Sequence, residues 1–305
     1  MLPQVWAFGF YGVFFLLGAI LHDRPDRLDR FRPRLLPLLL VGNVALATEG
    51  FMIGGGAEGD SDDGLSLAVL GGVGFSENTW LSAALAKSSV DLFSGRELET
   101  EYADVELDHF FDPVGVRLGV AYWGDSDVLR SNDWRASGYF RNDSVTLSFD
   151  YEYRDFEFII PSTDFTSSRQ LYFDDDGFGV SARIQTSEST NLRLRGIKYD
   201  YSVPFRPIDN VDAARLFTVS RLSLINSLVD HRASLTLGIE SGDTAWDIDL
   251  TTWEGAISGS RTKSLTVRYL MPLSKRTDIE LGLGYDDSEL YGDVTFFSLY
   301  LFFYV

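Results

Sequence analysis

From residue 48 to the C terminus, apolar and polar residues alternate with a period of two, the signature of a strand whose successive side chains point to opposite faces. Val114, Val116, Leu118, Val120 and Tyr122 share one face, and Gly115, Arg117, Gly119 and Ala121 the other. Val145, Leu147, Phe149, Tyr151 and Tyr153 oppose Thr146, Ser148, Asp150, Glu152 and Arg154 in the same way. The pattern returns near the C terminus, where Ile279, Leu281, Leu283 and Tyr285 stand against Asp278, Glu280, Gly282 and Gly284. No stretch carries a convincing helical period. Strands are predicted near 49–58, 64–75, 79–91, 98–111, 114–124, 132–141, 144–158, 170–187, 190–203, 231–241, 244–254, 262–272, 276–286 and 293–304. The break in alternation at Leu194-Arg195-Gly196-Ile197 reads as a bulge in which glycine absorbs an extra residue.

Alternation alone also suits a soluble sandwich, whose apolar face is its core. Segment length separates the two cases. Most segments run about 10 to 14 residues, beyond the ~5 to 6 typical of globular strands and close to what a tilted strand needs to cross a bilayer. With no helix to cover a sheet edge, closure is the natural solution. The expected fold is therefore all-β: an antiparallel transmembrane β-barrel of about 14 strands. Twelve or sixteen stay open, because 216–228 could supply a further strand. An even count places both chain ends on one side. Short connections at 77–79, 112–113, 142–143, 188–189, 242–243 and 273–276 then fall on that side, and longer acidic ones at 59–63, 124–133, 161–168 and 204–230 on the other.

The N-terminal part differs. Residues 1–21 are almost wholly apolar, and Arg24, Arg27, Arg30, Arg32 and Arg34 precede a second apolar run that ends in Ala45-Leu46-Ala47. A basic region, a short apolar core and small residues two apart before a cut after Ala47 are the requirements of a secretory signal. The first run is read as an over-extended start in preference to a membrane anchor, which would be unusual ahead of a signal. Two regions are thus expected: an apolar run and signal over 1–47, and a barrel over 48–305. Loss of the first, with five arginines and three aspartates, deepens the net charge from −19 to −21. Such acidity argues against nucleic-acid partners, which demand a basic surface. The chain has no cysteine, so disulfides and thiolate chemistry are excluded.

The chain closes on Thr295-Phe296-Phe297-Ser298-Leu299-Tyr300-Leu301-Phe302-Phe303-Tyr304-Val305, in which Phe297, Leu299, Leu301, Phe303 and Val305 form one apolar face. This resembles the C-terminal insertion signal of Gram-negative outer-membrane β-barrel proteins, from which it departs in ending on valine. The resemblance implies a porin-like barrel in the cell outer membrane. Its partners would be membrane lipid and lipopolysaccharide, with the barrel-assembly machinery engaged through the last strand. Tyr122, Trp123, Tyr151, Tyr153, Trp246, Trp253, Tyr269 and Tyr285, near strand ends, suit interfacial aromatic girdles.

The polar face would line the lumen with Arg117, Arg135, Arg141, Arg154, Arg183, Arg193 and Arg268. It would add Asp104, Glu106, Asp108, Asp150, Glu152, Glu240, Asp247, Asp249, Asp278, Glu280 and Asp286. Opposed ladders of arginine and acid would set a transverse field that orients polar solutes and selects ions, and the acidic excess would favour cations. The expected role is passive, weakly selective passage of small polar solutes or ions, preferred over a salt-bridged, filled interior. A barrel serving as scaffold or envelope-assembly component without permeability is one alternative. An outer-rim hydrolase is another, in which His231 would act with Asp230 and Ser227 or Ser234; His109, the other histidine of the barrel region, falls near the inner rim. Asp60, Asp62 and Asp63, and Asp174 to Asp176, could offer oxygen ligands to calcium, but neither loop has the spacing of an established site and solvated loops are preferred. No metal or cofactor is expected: glycine runs such as Gly54-Gly55-Gly56 lack the helix a phosphate cradle requires.

Overall fold

A computed structural model describes residues 50–91, 97–125, 128–160, 169–202 and 228–304, all within the unit Glu49–Val305. The signal expected over 1–47 and residues 203–227, which hold most of the candidate extra strand, lie outside the described residues. The elements are β1 (Gly50–Asp60), β2 (Leu65–Ser76), β3 (Thr79–Asp91), β4 (Glu97–Phe110), β5 (Val114–Asp125), β6 (Leu129–Arg141) and β7 (Val145–Ile160). They continue with β8 (Arg169–Ser187), β9 (Thr190–Tyr201), β10 (Val229–Ser241), β11 (Thr244–Gly255), β12 (Arg261–Ser274), β13 (Thr277–Ser288) and β14 (Gly292–Tyr304). Each pairs antiparallel with its sequence neighbours, and β1 pairs with β14 to close the barrel. Because β9 pairs directly with β10, the closed barrel has fourteen strands, and the counts of twelve and sixteen fall away.

Burial is inverted relative to a soluble protein. Phe149 is 73% exposed, Phe178 65% and Leu283 63%, whereas Asp175 and Asp286 are each 1% exposed. The apolar face of every alternating strand points out of the barrel, where only lipid would cover it favourably, and the polar face points in. The strand ends nearest the two chain termini are joined by tight turns. Gly242 supplies a φ of 60° in one of them, and in another the Asn142 side-chain oxygen accepts from the amides of Ser144 (3.0 Å) and Val145 (2.8 Å). At the opposite end β7 and β8 reach 16 and 19 residues, more than a bilayer crossing uses. There Asp155 pairs in register with Asp174 on the outer face, and the Tyr151 hydroxyl donates to Asp176 at 2.6 Å. Carboxylates on the outer face place this upper part of the β7–β8 hairpin beyond the hydrocarbon.

Two readings of the sequence change. The supposed bulge at 194–197 is regular strand: Leu194, Arg195, Gly196 and Ile197 pair in unbroken register with β8 and β10. The alternation looked broken only because Ile197, an apolar residue 7% exposed, points inward. The register does slip at strand ends, between Gly74 and Ser76, Gln185 and Ser187, Val229 and His231, and Pro272 and Ser274. Trp123 and Trp253 also leave the proposed girdle, since both line the interior. Trp123 directly follows Tyr122, and neighbours in a strand cannot share a face. Trp246 and Tyr269 stay outside, rings 4.2 Å apart.

The closing seam depends on two small residues. Gly54 and Gly56 of β1 lie opposite Phe302 and Tyr300 of β14. A Cβ at Gly54 would meet the Phe302 ring at 2.7 Å, and one at Gly56 would meet the Tyr300 ring at 2.5 Å. The aromatic rings thus cover backbone that larger residues would push away. Gly56→Val is expected to cost about 1 to 3 kcal/mol, lowering both the urea midpoint and the heat-modifiable folded band on gels; Ala57→Val on the outer face should leave both nearly unchanged.

Candidate functional site in the barrel lumen

The inward faces of thirteen strands, all but β8, line a cavity of about 1030 Å³. Of the charged positions expected in the lumen, Arg135, Arg154, Arg268, Glu152, Glu280 and Asp286 line it directly. Arg117, Arg141, Arg183, Arg193, Asp104, Glu106, Asp108, Asp150, Glu240, Asp247, Asp249 and Asp278 occupy the same alternating face of their strands. Together with Arg195, Arg232 and Glu58, the lining carries five arginines and four carboxylates. This stretch of the wall is therefore close to balanced, while the inward face as a whole keeps more carboxylates than arginines.

The ion pairs are stitched along the wall. Arg117 of β5 donates to Asp108 of β4 at 2.8 Å, and the Tyr139 hydroxyl donates to the other oxygen of Asp108 at 2.6 Å. Arg135 of β6 pairs with Asp104 of β4, Arg193 of β9 with Asp247 of β11 at 2.5 Å, and Arg195 of β9 with Asp150 of β7 at 3.7 Å. Each partner sits one or two strands away. Arg117, Arg135 and Arg193 of the expected ladders thus form short local couples, whereas among the described residues Arg141, Arg183 and Arg268 have no carboxylate within 4 Å. Arg141 lies 3.9 Å over the Phe110 ring. The hydroxyls of Thr236 and Thr251 both donate to Asp249 at 2.6 Å.

Toward the long-strand end, Arg154 is caged. Its guanidinium lies 3.6 Å from Asp133, 3.6 Å from Glu152 and 3.7 Å from Asp175, between the rings of Phe156 (5.0 Å), Tyr199 (5.2 Å) and Trp123 (5.3 Å). Trp123 in turn donates to Asp133 at 2.9 Å, and Tyr199 to Glu152 at 3.0 Å. Beyond the cage an apolar cluster fills the end of the barrel: Val90, Val128, Leu129, Phe156, Phe158, Phe173, Leu228 and Ile257, with Tyr201 and Leu290 against it. Phe156 and Phe173 stack at 4.6 Å. Strand ends from β3 to β8 here meet residues of the β11–β12 and β13–β14 connections, so the cluster caps this mouth.

Sequence reasoning missed Asp133, Asp175, Arg195 and Arg232. Asp175 was hidden inside an acidic triplet read as one cluster of oxygen ligands near a loop; strand alternation turns Asp175 inward to Arg154 and leaves Asp174 and Asp176 outside. The triplet is therefore no single ligand set. In the other acidic loop, Asp60 closes a turn by accepting from the amides of Asp62 (2.9 Å) and Gly64 (2.8 Å). Burial, and then the charges of Asp60 and Asp63, push the Asp62 carboxyl above its ordinary pKa. Among the described residues no group of side chains is arranged to hold a metal ion. His231 contacts Asp230 at 2.8 Å, yet it lies in register with Lys198 and Glu254, while Ser234 lines the cavity. Ser234 is thus on the opposite face and cannot complete a triad with His231; Ser227 lies outside the described residues. At the other rim, His109 hydrogen-bonds Thr79 at 2.7 Å.

In comparison with solved structures, the barrel is similar to the CymD monoaromatic hydrocarbon channel, with a TM-score of 0.51 and 7% identity over 83% of this chain and 87% of that one. It is also similar to OmpT, an outer membrane protein of Vibrio cholerae, with a TM-score of 0.50 and 8% identity over 85% and 97% of the two chains. The KdgM porin aligns more loosely, with a TM-score of 0.44 and 10% identity over 83% and 98%. No family model and no curated protein matches the sequence. The chain thus has the fold of an outer-membrane, porin-like β-barrel.

The caged arginine is the interior group whose removal should be felt most. Arg154→Ala leaves the buried Asp133 and Asp175 and the half-buried Glu152 facing one another without their cation, an imbalance worth about 3 to 5 kcal/mol. Denaturant unfolding in detergent micelles should show a loss of that order, and Arg154→Lys, which keeps the charge, a smaller one.

Proposed function

We propose that the protein is exported, inserts in the outer membrane of a Gram-negative cell, and acts there as a weakly selective channel for small polar solutes or ions, not as an enzyme. The observation that carries this reading is the cavity of about 1030 Å³ inside a closed barrel, lined by charges of both signs. An interior meant only to be filled would use its side chains to occupy that space, as eight-stranded barrels do. The near balance of arginine and carboxylate on the lining supports weak selectivity. The apolar outer belt suits membrane lipid and the outward carboxylates of the β7–β8 hairpin suit divalent bridging to lipopolysaccharide, while the apolar face of β14 suits handling by the barrel-assembly machinery.

The apolar cap supports a second reading, a barrel that is permanently shut and serves as a scaffold. The two differ in whether the cap yields. For a channel, planar bilayers should show infrequent openings of the wild-type barrel with little preference between potassium and chloride. The double substitution Phe156→Ser with Phe173→Ser should raise the mean conductance several-fold. Silence of both proteins, with folding intact by circular dichroism, would favour the scaffold.

A further inference from the structure

Arg268 of β12 and Glu280 of β13 both line the cavity, and among the described residues neither has an ion-pair partner within 4 Å, unlike Arg135, Arg154 and Arg195 on the same lining. Arg268 lies opposite Gly282, two residues along β13 from Glu280. Its stem leans over that glycine, where a Cβ would meet the Arg268 Cγ at 3.7 Å, and its charge acts on Glu280. On the other side its register partner, Asp247, is turned to Arg193. From Glu280 onward the wall becomes apolar. Glu280 pairs in register with Tyr300 on β14, Tyr300 with Gly56 on β1, Gly56 with Ala68 on β2, and Ala68 with Ala86 on β3. In the adjoining row Phe302, Gly54, Leu70 and Ala84 follow in the same order. The side chains of both rows line the cavity, and the glycines let the two rings lie on the wall instead of across the lumen.

This sector of the lumen joins one cation, one anion and an apolar strip. An ammonium donates to a carboxylate, and a guanidinium holds a carboxylate through two parallel N–H donors. A ligand that brought only a carboxylate would face Asp278, the next inward residue of β13, and Asp247 as well as Arg268. One that brought only an ammonium would face Arg268. A ligand with both groups on one carbon satisfies Arg268 and Glu280 together and adds no net charge to a lining near balance. We propose that this sector is a binding site for a free α-amino acid with an apolar side chain, its carboxylate on Arg268, its ammonium on Glu280 and its side chain on the strip that begins at Tyr300 and Phe302. Burial of that side chain away from water adds affinity that the charges alone do not supply. The proposal deepens the channel reading and rests on it for the route by which a solute arrives.

Equilibrium dialysis of the folded barrel in detergent micelles against labelled leucine tests the site, with protein-free micelles as the blank. Glycine lacks the side chain, 4-methylpentanoate the ammonium and 3-methylbutylamine the carboxylate. Leucine should bind saturably, and about tenfold or more tightly than each of the three. Arg268→Gln and Glu280→Gln should each weaken it about tenfold or more, and Arg268→Lys less. Lys263→Gln, on the outer face of β12 opposite Thr252 and Asp287, should change it hardly at all. The probe series needs only the wild-type chain, so a variant that misfolds does not leave the question open. The same titrations on the Phe156→Ser, Phe173→Ser protein remove the cap as an obstacle. Failure of leucine to bind either protein overturns the site. So does equal binding of glycine, the acid or the amine, or affinity unchanged in either glutamine variant once folded. Conductance separates this from the channel reading: binding without conductance leaves the site standing and removes the channel, and conductance without binding does the reverse.

Discussion

A strand inside a bilayer has no water to satisfy its amides and carbonyls, so each must find a partner strand on both sides, and the sheet must close. Here that requirement is met where β1 meets β14, with Met52 opposite Tyr304 at one end and Asp60 opposite Phe296 at the other. The glycines of β1 let the aromatic side chains of β14 lie over the seam. Much else follows from closure. Once the sheet is a cylinder, alternation assigns every residue to lipid or lumen, and the polar half of each strand has nowhere to go but inward.

Charges forced inward must then be neutralised at close range. The interior does this with couples that bridge adjacent or next-adjacent strands, such as Arg117 with Asp108 and Arg135 with Asp104. Such couples leave the middle of the barrel free while removing the cost of burying lone charge. At one end the solution changes: Arg154 is enclosed by three carboxylates and three rings, and an apolar cluster covers the cage. The lumen is therefore layered, with a polar wall on which several charges are paired, an arginine- and aromatic-rich upper chamber, and an apolar cluster above it.

The strands were legible in the sequence because a period of two survives in nearly every one; the predicted boundaries of β3, at 79–91, match the observed strand end for end. Inward placement of the charged residues followed from the same parity. What parity could not supply was pairing, since Arg135 finds Asp104 two strands away only because of the stagger of the closed sheet. Composition also misled in places. Ile197 is apolar yet faces in, which made regular strand look bulged, and Trp123 and Trp253 were assigned by proximity to strand ends when their parity already placed them inside. The cap gathers residues from distant strands and connections, so no local pattern announces it.

The central claim is that one face of each strand borders water within the barrel and the other borders lipid. Because the chain contains no cysteine, single cysteines can report each face without background. Ser234→Cys and Thr251→Cys on the lumen wall, and Leu235→Cys and Leu250→Cys on the outer face, are to be reacted in liposomes with a charged, membrane-impermeant thiol reagent. The first pair should react and the second pair should stay protected. Labelling of the leucine positions with protection of the lumen positions would contradict it.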